Sequence, residues 1–229
     1  MPRFAPIAVA ALLAGCGDAS DKAPAPEPSW AVEAPPEVPV MGEERRVLAF
    51  GDSLLTGYGL ENGENYPAML EAALRARGIN ARVTNAGVSG DTTRGGLDRL
   101  AFTLDSRDPP PELVLISLGG NDMLRALSPE QTRANLDAIL TELDRRGIAA
   151  VLLGMRAAPN LGRQYTQRFD AIYPALAKKH GVTLVPFFLE PILGQSDLIQ
   201  ADHVHPTALG LEQMVAATVD DVAGALANK

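Results

Sequence analysis

Four short stretches of this 229-residue chain hold side chains suited to acyl transfer, and each is rich in glycine or polar residues. They are Gly51-Asp52-Ser53-Leu54, Asn85-Ala86-Gly87-Val88-Ser89-Gly90-Asp91, Gly119-Gly120-Asn121-Asp122 and Asp202-His203-Val204-His205-Pro206. A serine hydroxyl is a poor nucleophile until a base within hydrogen-bond reach takes its proton. The fourth stretch offers two histidines for that task. It also places Asp202 three residues before His205, near enough across a tight turn to meet an imidazole N–H. Attack on an ester carbonyl creates an oxyanion, which needs donors aimed at it beforehand, one such donor being worth ~3 kcal/mol. The amides of Ser53 and Gly90 and the neutral side-chain amide of Asn121 are donors of the right kind, and Gly90 has no side chain to keep a substrate away.

Each residue also has a plainer reading. Ser53 and Asn121 have the chemistry of helix caps, and Gly90 that of a turn residue. Asp52, Asp91 and Asp122 read more simply as caps or loop acceptors than as catalytic groups. His180, before Gly181, reads as a surface residue complementing a helix dipole. Asp202, His203 and His205 could together ligate a metal, but a single H-x-H with no further ligand motif is thin evidence for one.

The elements that must position these groups alternate along the chain. Arg46–Phe50, Leu113–Leu118, Ile148–Leu153 and Val182–Val185 are short, mainly apolar runs with the length of strands, and Ala81–Asn85 is a further strand candidate. Between them, Tyr66–Arg77 carries apolar residues at helical spacing and is stopped by Gly78. Helices are predicted over Asp91–Leu104 with an Asp/Thr cap, over 129–146, around Arg163–Lys179, and from Thr207 to the end. Ser128, Pro129 and Gln131 spell a capping box with proline at the first helical position. Continuous apolar strands separated by helices imply a parallel sheet covered on both faces. In such a sheet, ligands sit beyond the carboxyl ends of the strands, which is where the four stretches fall.

With its motifs in this order, each after its proper element, the chain resembles the GDSL, or SGNH, hydrolase family over residues 46 to about 227. Leu153-Gly154-Met155-Arg156 and Gly162-Arg163-Gln164-Tyr165 are similar to its bacterial thioesterase/lysophospholipase and arylesterase branch. The resemblance implies a three-layer α/β sandwich with a flavodoxin-like five-stranded parallel sheet and helices on both faces. It implies Ser53 as nucleophile, His205 as its base and Asp202 as the group orienting that base. Ser53, Gly90 and Asn121 would then form the oxyanion hole, with no metal or organic cofactor. His205 is preferred over His203 because it directly precedes the proline. His203 itself departs from the family, which more often has a small or acidic residue there. The implied substrates are small carboxylic esters with aryl or short-to-medium acyl groups, lysophospholipids or thioesters. An O-acetylesterase acting on envelope polysaccharide or peptidoglycan would share all four motifs, and so would a binding module that has lost turnover.

The N-terminus is of another kind. Met1–Arg3 gives a positive start and Phe4–Ala14 an uninterrupted apolar run, too short to span a bilayer and suited to an export signal. Leu13-Ala14-Gly15-Cys16 resembles the lipobox of bacterial lipoproteins, in which the cysteine is lipidated and becomes the first residue after cleavage. Residues 1–15 thus read as a signal peptide, 16–44 as the lipidated Cys16 with a tether, and 45–229 as the hydrolase domain. Asp18–Glu44 holds six prolines and seven acids against one lysine, has no apolar period, and reaches up to about 80 Å if extended. Trp30 inside it reads as incidental. Gly17 after Cys16 resembles lipoproteins sorted to the outer membrane, should the source be Gram-negative. An exported enzyme would not meet cytoplasmic acyl-CoA or acyl carrier protein.

The formal net charge of −8 argues against a nucleic-acid partner, and the acidity belongs mostly to the tether. A lone cysteine leaves no intrachain disulfide, and none is needed at this size. There is no G-x-S-x-G elbow, because Gly87-Val88-Ser89-Gly90 is followed by Asp91. No P-loop occurs, and Gly57-Tyr58-Gly59 lacks the remaining spacing of a dinucleotide fingerprint.

Overall fold

Five short segments form the strands, and their burial says where each one lies. The computed structural model describes residues 40–228, so the expected signal peptide, Cys16, Trp30 and almost all of the tether lie outside the described residues. The strands are β1 (Arg45–Gly51), β2 (Ala81–Gly87), β3 (Leu113–Ser117), β4 (Ala149–Leu153) and β5 (Thr183–Val185). They make one sheet in the order β2-β1-β3-β4-β5 with every pairing parallel. β3 is buried throughout and β1 and β4 nearly so, as central strands covered on both faces must be. β2, at an edge, alternates buried and exposed residues over its first half. This is the three-layer, flavodoxin-like arrangement expected.

The helices are α1 (Ser53–Thr56), α2 (Tyr66–Ala76), α3 (Thr93–Asp105), α4 (Gly120–Leu124), α5 (Pro129–Arg145), α6 (Arg163–Asp170), α7 (Ile172–His180) and α8 (Ala208–Ala227). α2 packs on α8, while α5 packs on α3 and α7. Short polar side chains start the long ones: Asn65 accepts from the Ala68 amide, Thr92 from Gly95, and Thr207 from Gly210. Asp91 is not part of the α3 cap; it pairs with Arg99 at 2.7 Å.

Three local readings are corrected. The helix expected around Arg163–Lys179 is two helices that break at Ala171. Pro174 has no N–H to give the Asp170 carbonyl, so the ladder cannot run through. At α5, Glu130 replaces Gln131 in the cap: Ser128 Oγ accepts from the Glu130 amide at 3.2 Å and donates to its carboxylate at 2.7 Å. His180 does lie in the last turn of α7 before Gly181, where a basic group complements the dipole. It is part-buried rather than on the surface: its side chain is 9% exposed and its Nε2 lies 2.7 Å from the Asp137 carboxylate.

The strand order reverses between β1 and β3, the switch point where such sheets bind ligands. Gly51 pairs with Ser117 on one side and with Gly87 on the other. The chain segments that follow β1, β2 and β3 therefore emerge side by side.

Candidate active site

Ser53 is the first residue of α1, directly beyond the end of β1. Asp52 caps that helix, with its Oδ1 accepting from the Leu54 amide at 3.1 Å. The first amides of a helix have no intrahelical acceptor, so the Ser53 N–H is free of the helix ladder. Ser53 Oγ lies 2.8 Å from His205 Nε2, across 152 residues of sequence. The other ring nitrogen, Nδ1, is 2.6 Å from Asp202 Oδ2. Asp202 Oδ1 accepts from the amides of Val204 at 2.9 Å and His205 at 3.0 Å.

Those contacts fix the protonation pattern. The His205 amide, then the His205 ring, then the Val204 amide hold the Asp202 carboxyl well below the usual carboxylate range. An ionised Asp202 accepts the Nδ1 proton, which leaves Nε2 as the acceptor facing the serine hydroxyl. Both ring nitrogens of His205 and both oxygens of Asp202 are thus engaged. The alternative metal reading of Asp202, His203 and His205 would need His205 to give up one of these two contacts, since it has no third ring nitrogen. Among the described residues, no group of three or more His, Cys, Asp or Glu is placed to hold a metal ion.

Asn121 is the second residue of α4, beyond the end of β3. Its side-chain amide donates to Asp52 Oδ2 at 3.2 Å, which occupies one of its two hydrogens and leaves the other for a further acceptor. Asp52 is 3% exposed, and that burial pushes its carboxyl up to about 6. The neighbouring Asp122 is structural: it accepts from the Thr93 amide at 2.8 Å, the Thr93 hydroxyl at 2.5 Å and the Thr132 hydroxyl at 3.1 Å. This buried network ties α3, α4 and α5 together and so sets where Asn121 stands.

Gly90 follows β2 in the left-handed region at φ +82°, and its carbonyl accepts from Arg125 at 2.9 Å. Arg99 braces the same rim. It pairs with Asp91, donates to the Gly51 carbonyl at 3.0 Å and lies 4.0 Å from the centre of the Phe50 ring. Neither arginine stands out in the sequence, because neither belongs to a motif; only the fold brings them to the rim.

Ser53, Gly90, Asn121 and His205 all line one cavity of about 720 Å³. Its walls are mostly apolar and include Met123, Met155, Phe187, Leu189, Leu193 and Val204, with Arg156 among them. His203 lines it too, exposed and with φ +60°, unusual for a residue with a side chain. The predicted site residues within the described chain therefore meet at one rim, and sequence reasoning missed the apolar wall.

Residues 49–212 match the GDSL-like lipase/acylhydrolase family. The chain belongs to this family. It is an SGNH-type esterase, a serine hydrolase acting on esters. The solved structure of AlinE4, described as an SGNH-hydrolase family esterase, is 61% identical, with a TM-score of 0.70 over 81% of this chain and 98% of that one. Esterase TesA of Pseudomonas aeruginosa is 40% identical over 160 residues, 70% of this chain and 79% of TesA. Thioesterase 1/protease 1/lysophospholipase L1 of Escherichia coli strain K12 is 39% identical over 160 residues, covering 70% of this chain and 74% of that protein. Within the family the acylhydrolase thus sits with the TesA, arylesterase and thioesterase branch.

Proposed function

We propose that the acylhydrolase cleaves aryl esters and short-to-medium-chain carboxylic esters, with lysophospholipids and thioesters as further substrates, through an acyl-enzyme on Ser53. The observation that carries this reading is the unbroken run of hydrogen bonds from Asp202 through His205 to Ser53 Oγ at the edge of an apolar cavity. His205 Nε2 takes the hydroxyl proton as Oγ forms a bond to the carbonyl carbon. The carbonyl π electrons move to oxygen, where the amides of Ser53 and Gly90 and the free hydrogen of Asn121 receive the charge. Collapse expels the alcohol, which leaves with the proton from His205. Water then repeats the sequence on the acyl-enzyme, with the same imidazole as base, and releases the acid. Asp202 stays ionised throughout, and Asn121 does not change charge.

The apolar cavity favours an acyl chain over a small acetyl group on a glycan, since its walls offer few hydrogen-bond partners. A fluorophosphonate should add one covalent mass to the protein, on Ser53, and a panel of p-nitrophenyl and lysolipid esters should then rank acyl length. No adduct, or an adduct elsewhere, overturns the assignment. Faster turnover of acetylated glycan than of any panel ester would select the O-acetylesterase reading.

The same proposal extends to location. Leu13-Ala14-Gly15-Cys16, behind an apolar run and before a proline-rich tether, supports an exported domain anchored by a lipid on Cys16. Intact-mass measurement of envelope protein should show diacylglyceryl mass on Cys16, and a free thiol there would refute the anchor.

A further inference from the structure

We propose that Tyr58 is a positioning residue that holds the His205 ring in place and stabilises it in its protonated form during turnover. The inference rests on the acyl-enzyme reading above. The Tyr58 and His205 rings face each other with centroids 4.4 Å apart and a tilt of 33°. Tyr58 sits in the loop after α1, is 51% exposed and lines the mouth of the cavity. Gln200 locks the two loops together. Its Nε2 donates to the Tyr58 carbonyl and to the Pro206 carbonyl, each at 2.8 Å, and its own amide donates to the His205 carbonyl at 2.7 Å. One side chain thus fixes both backbone segments from which the stacked rings project.

The face of a phenol ring carries partial negative charge and attracts a cation lying against it. His205 is neutral while it accepts from Ser53, and it becomes a cation only on taking the proton of Ser53 or of water. The contact therefore strengthens as each barrier is climbed, the condition for an interaction to raise kcat and leave KM alone. On its other edge the ring is held by Asp202, whose Oδ2 lies 2.6 Å from Nδ1, so the ring keeps one orientation against Tyr58. For a partly solvated pair the contribution corresponds to roughly 5- to 30-fold in rate.

The test replaces Tyr58 in the full-length chain with phenylalanine, then with mono-, tri- and pentafluorophenylalanine. These rings differ little in size, but fluorine drains charge from the face. Tyr58→Phe should stay within about twofold of wild type, with KM for a p-nitrophenyl ester unchanged across the series. Turnover should fall stepwise with fluorination, to roughly 5- to 30-fold below phenylalanine at the pentafluoro ring. A flat series, or one that moves KM alone, overturns the proposal. Ser53→Ala, assayed alongside, separates the two levels: normal turnover in that variant would bring down the acyl-enzyme reading itself, whichever way the fluorinated series fell.

Discussion

The Asn121 side-chain amide donates to a carboxylate oxygen of Asp52 at 3.2 Å, and that carboxylate is buried beneath the site. Asp52 therefore does two jobs with opposite effects: it orients the Asn121 amide, the donor we propose for the oxyanion, and it keeps a charge out of water. Burial, the largest cause, raises its pKa to about 6. Because the folded value exceeds the unfolded one, its favourable contribution to stability is complete only below the unfolded value of 3.8 and is lost as pH rises through about 6. At pH 8 the ionised group costs the fold up to about 3 kcal/mol. Asp52→Asn keeps a capping oxygen and should raise the urea midpoint at pH 8, with the gain shrinking below pH 4. The same variant should lower kcat roughly tenfold, because with its oxygen on the Leu54 amide its NH2 group faces Asn121, which loses its acceptor. A variant no more stable than wild type at pH 8 would contradict the burial account.

The two histidines should separate cleanly by mutation. Ser53→Ala and His205→Ala should each cut turnover by at least ~10³-fold, while His203→Ala stays within a few-fold. Asp202→Ala should cost less, roughly 10²-fold, because the Asp202 side chain is 39% exposed and water can partly replace it at Nδ1. Comparable losses at His203 and His205 in steady-state assays would undo the assignment of the base.

His203 holds a left-handed backbone at φ +60°, a conformation that costs a residue with a Cβ about 1–2 kcal/mol. Glycine avoids that strain but loses some of the gain to its greater freedom in the unfolded chain. His203→Gly should therefore stabilise the fold by ~0.5–1 kcal/mol, a rise of a few degrees in Tm for a domain of this size. Thermal unfolding followed by circular dichroism measures it, and a fall in Tm would show that the imidazole makes contacts that outweigh the strain.

Gly119 should be intolerant of any side chain. It has φ +110°, and a Cβ there would overlap the hydroxyl of buried Tyr173, which donates to the Leu118 carbonyl at 3.0 Å. Gly119→Ala should lose ~2–4 kcal/mol of stability, read from chemical denaturation, and activity should fall with it because Asn121 lies two residues on. Wild-type stability in this variant would mean that the turn before α4 adapts more freely than its packing suggests.

The strands and most of the long helices were legible because each is long enough to show a period, an apolar run or a cap. α1 and α4 were not: at four and five residues they are too short for any pattern, and they form because strand ends and the Asp122 network hold them. The four chemical stretches could be read from order and spacing, down to Asp202 three residues before His205. The contacts of Tyr58, Gln200, Arg99 and Arg125 could not, since each depends on which loops the sheet brings together. The apolar wall was hidden for the same reason: Met123, Met155 and Phe187 follow three different strands. His180 looked like a surface residue because nothing in the sequence announces that Asp137, on α5, comes to meet it.

Asp202 and His205 belong to a single short handle of chain, closed where Ile199 bridges Pro206 and where Thr207 donates to the Leu198 carbonyl at 2.9 Å. His205 and Asp202, the base and its orienting partner in the proposed mechanism, thus travel as one unit, whereas Ser53 stands on α1, directly after the central strand β1. Loosening the handle would disconnect the two while every strand stays paired. On heating, catalysis should therefore fade and return reversibly at temperatures where the far-ultraviolet signal of the sheet has yet to change.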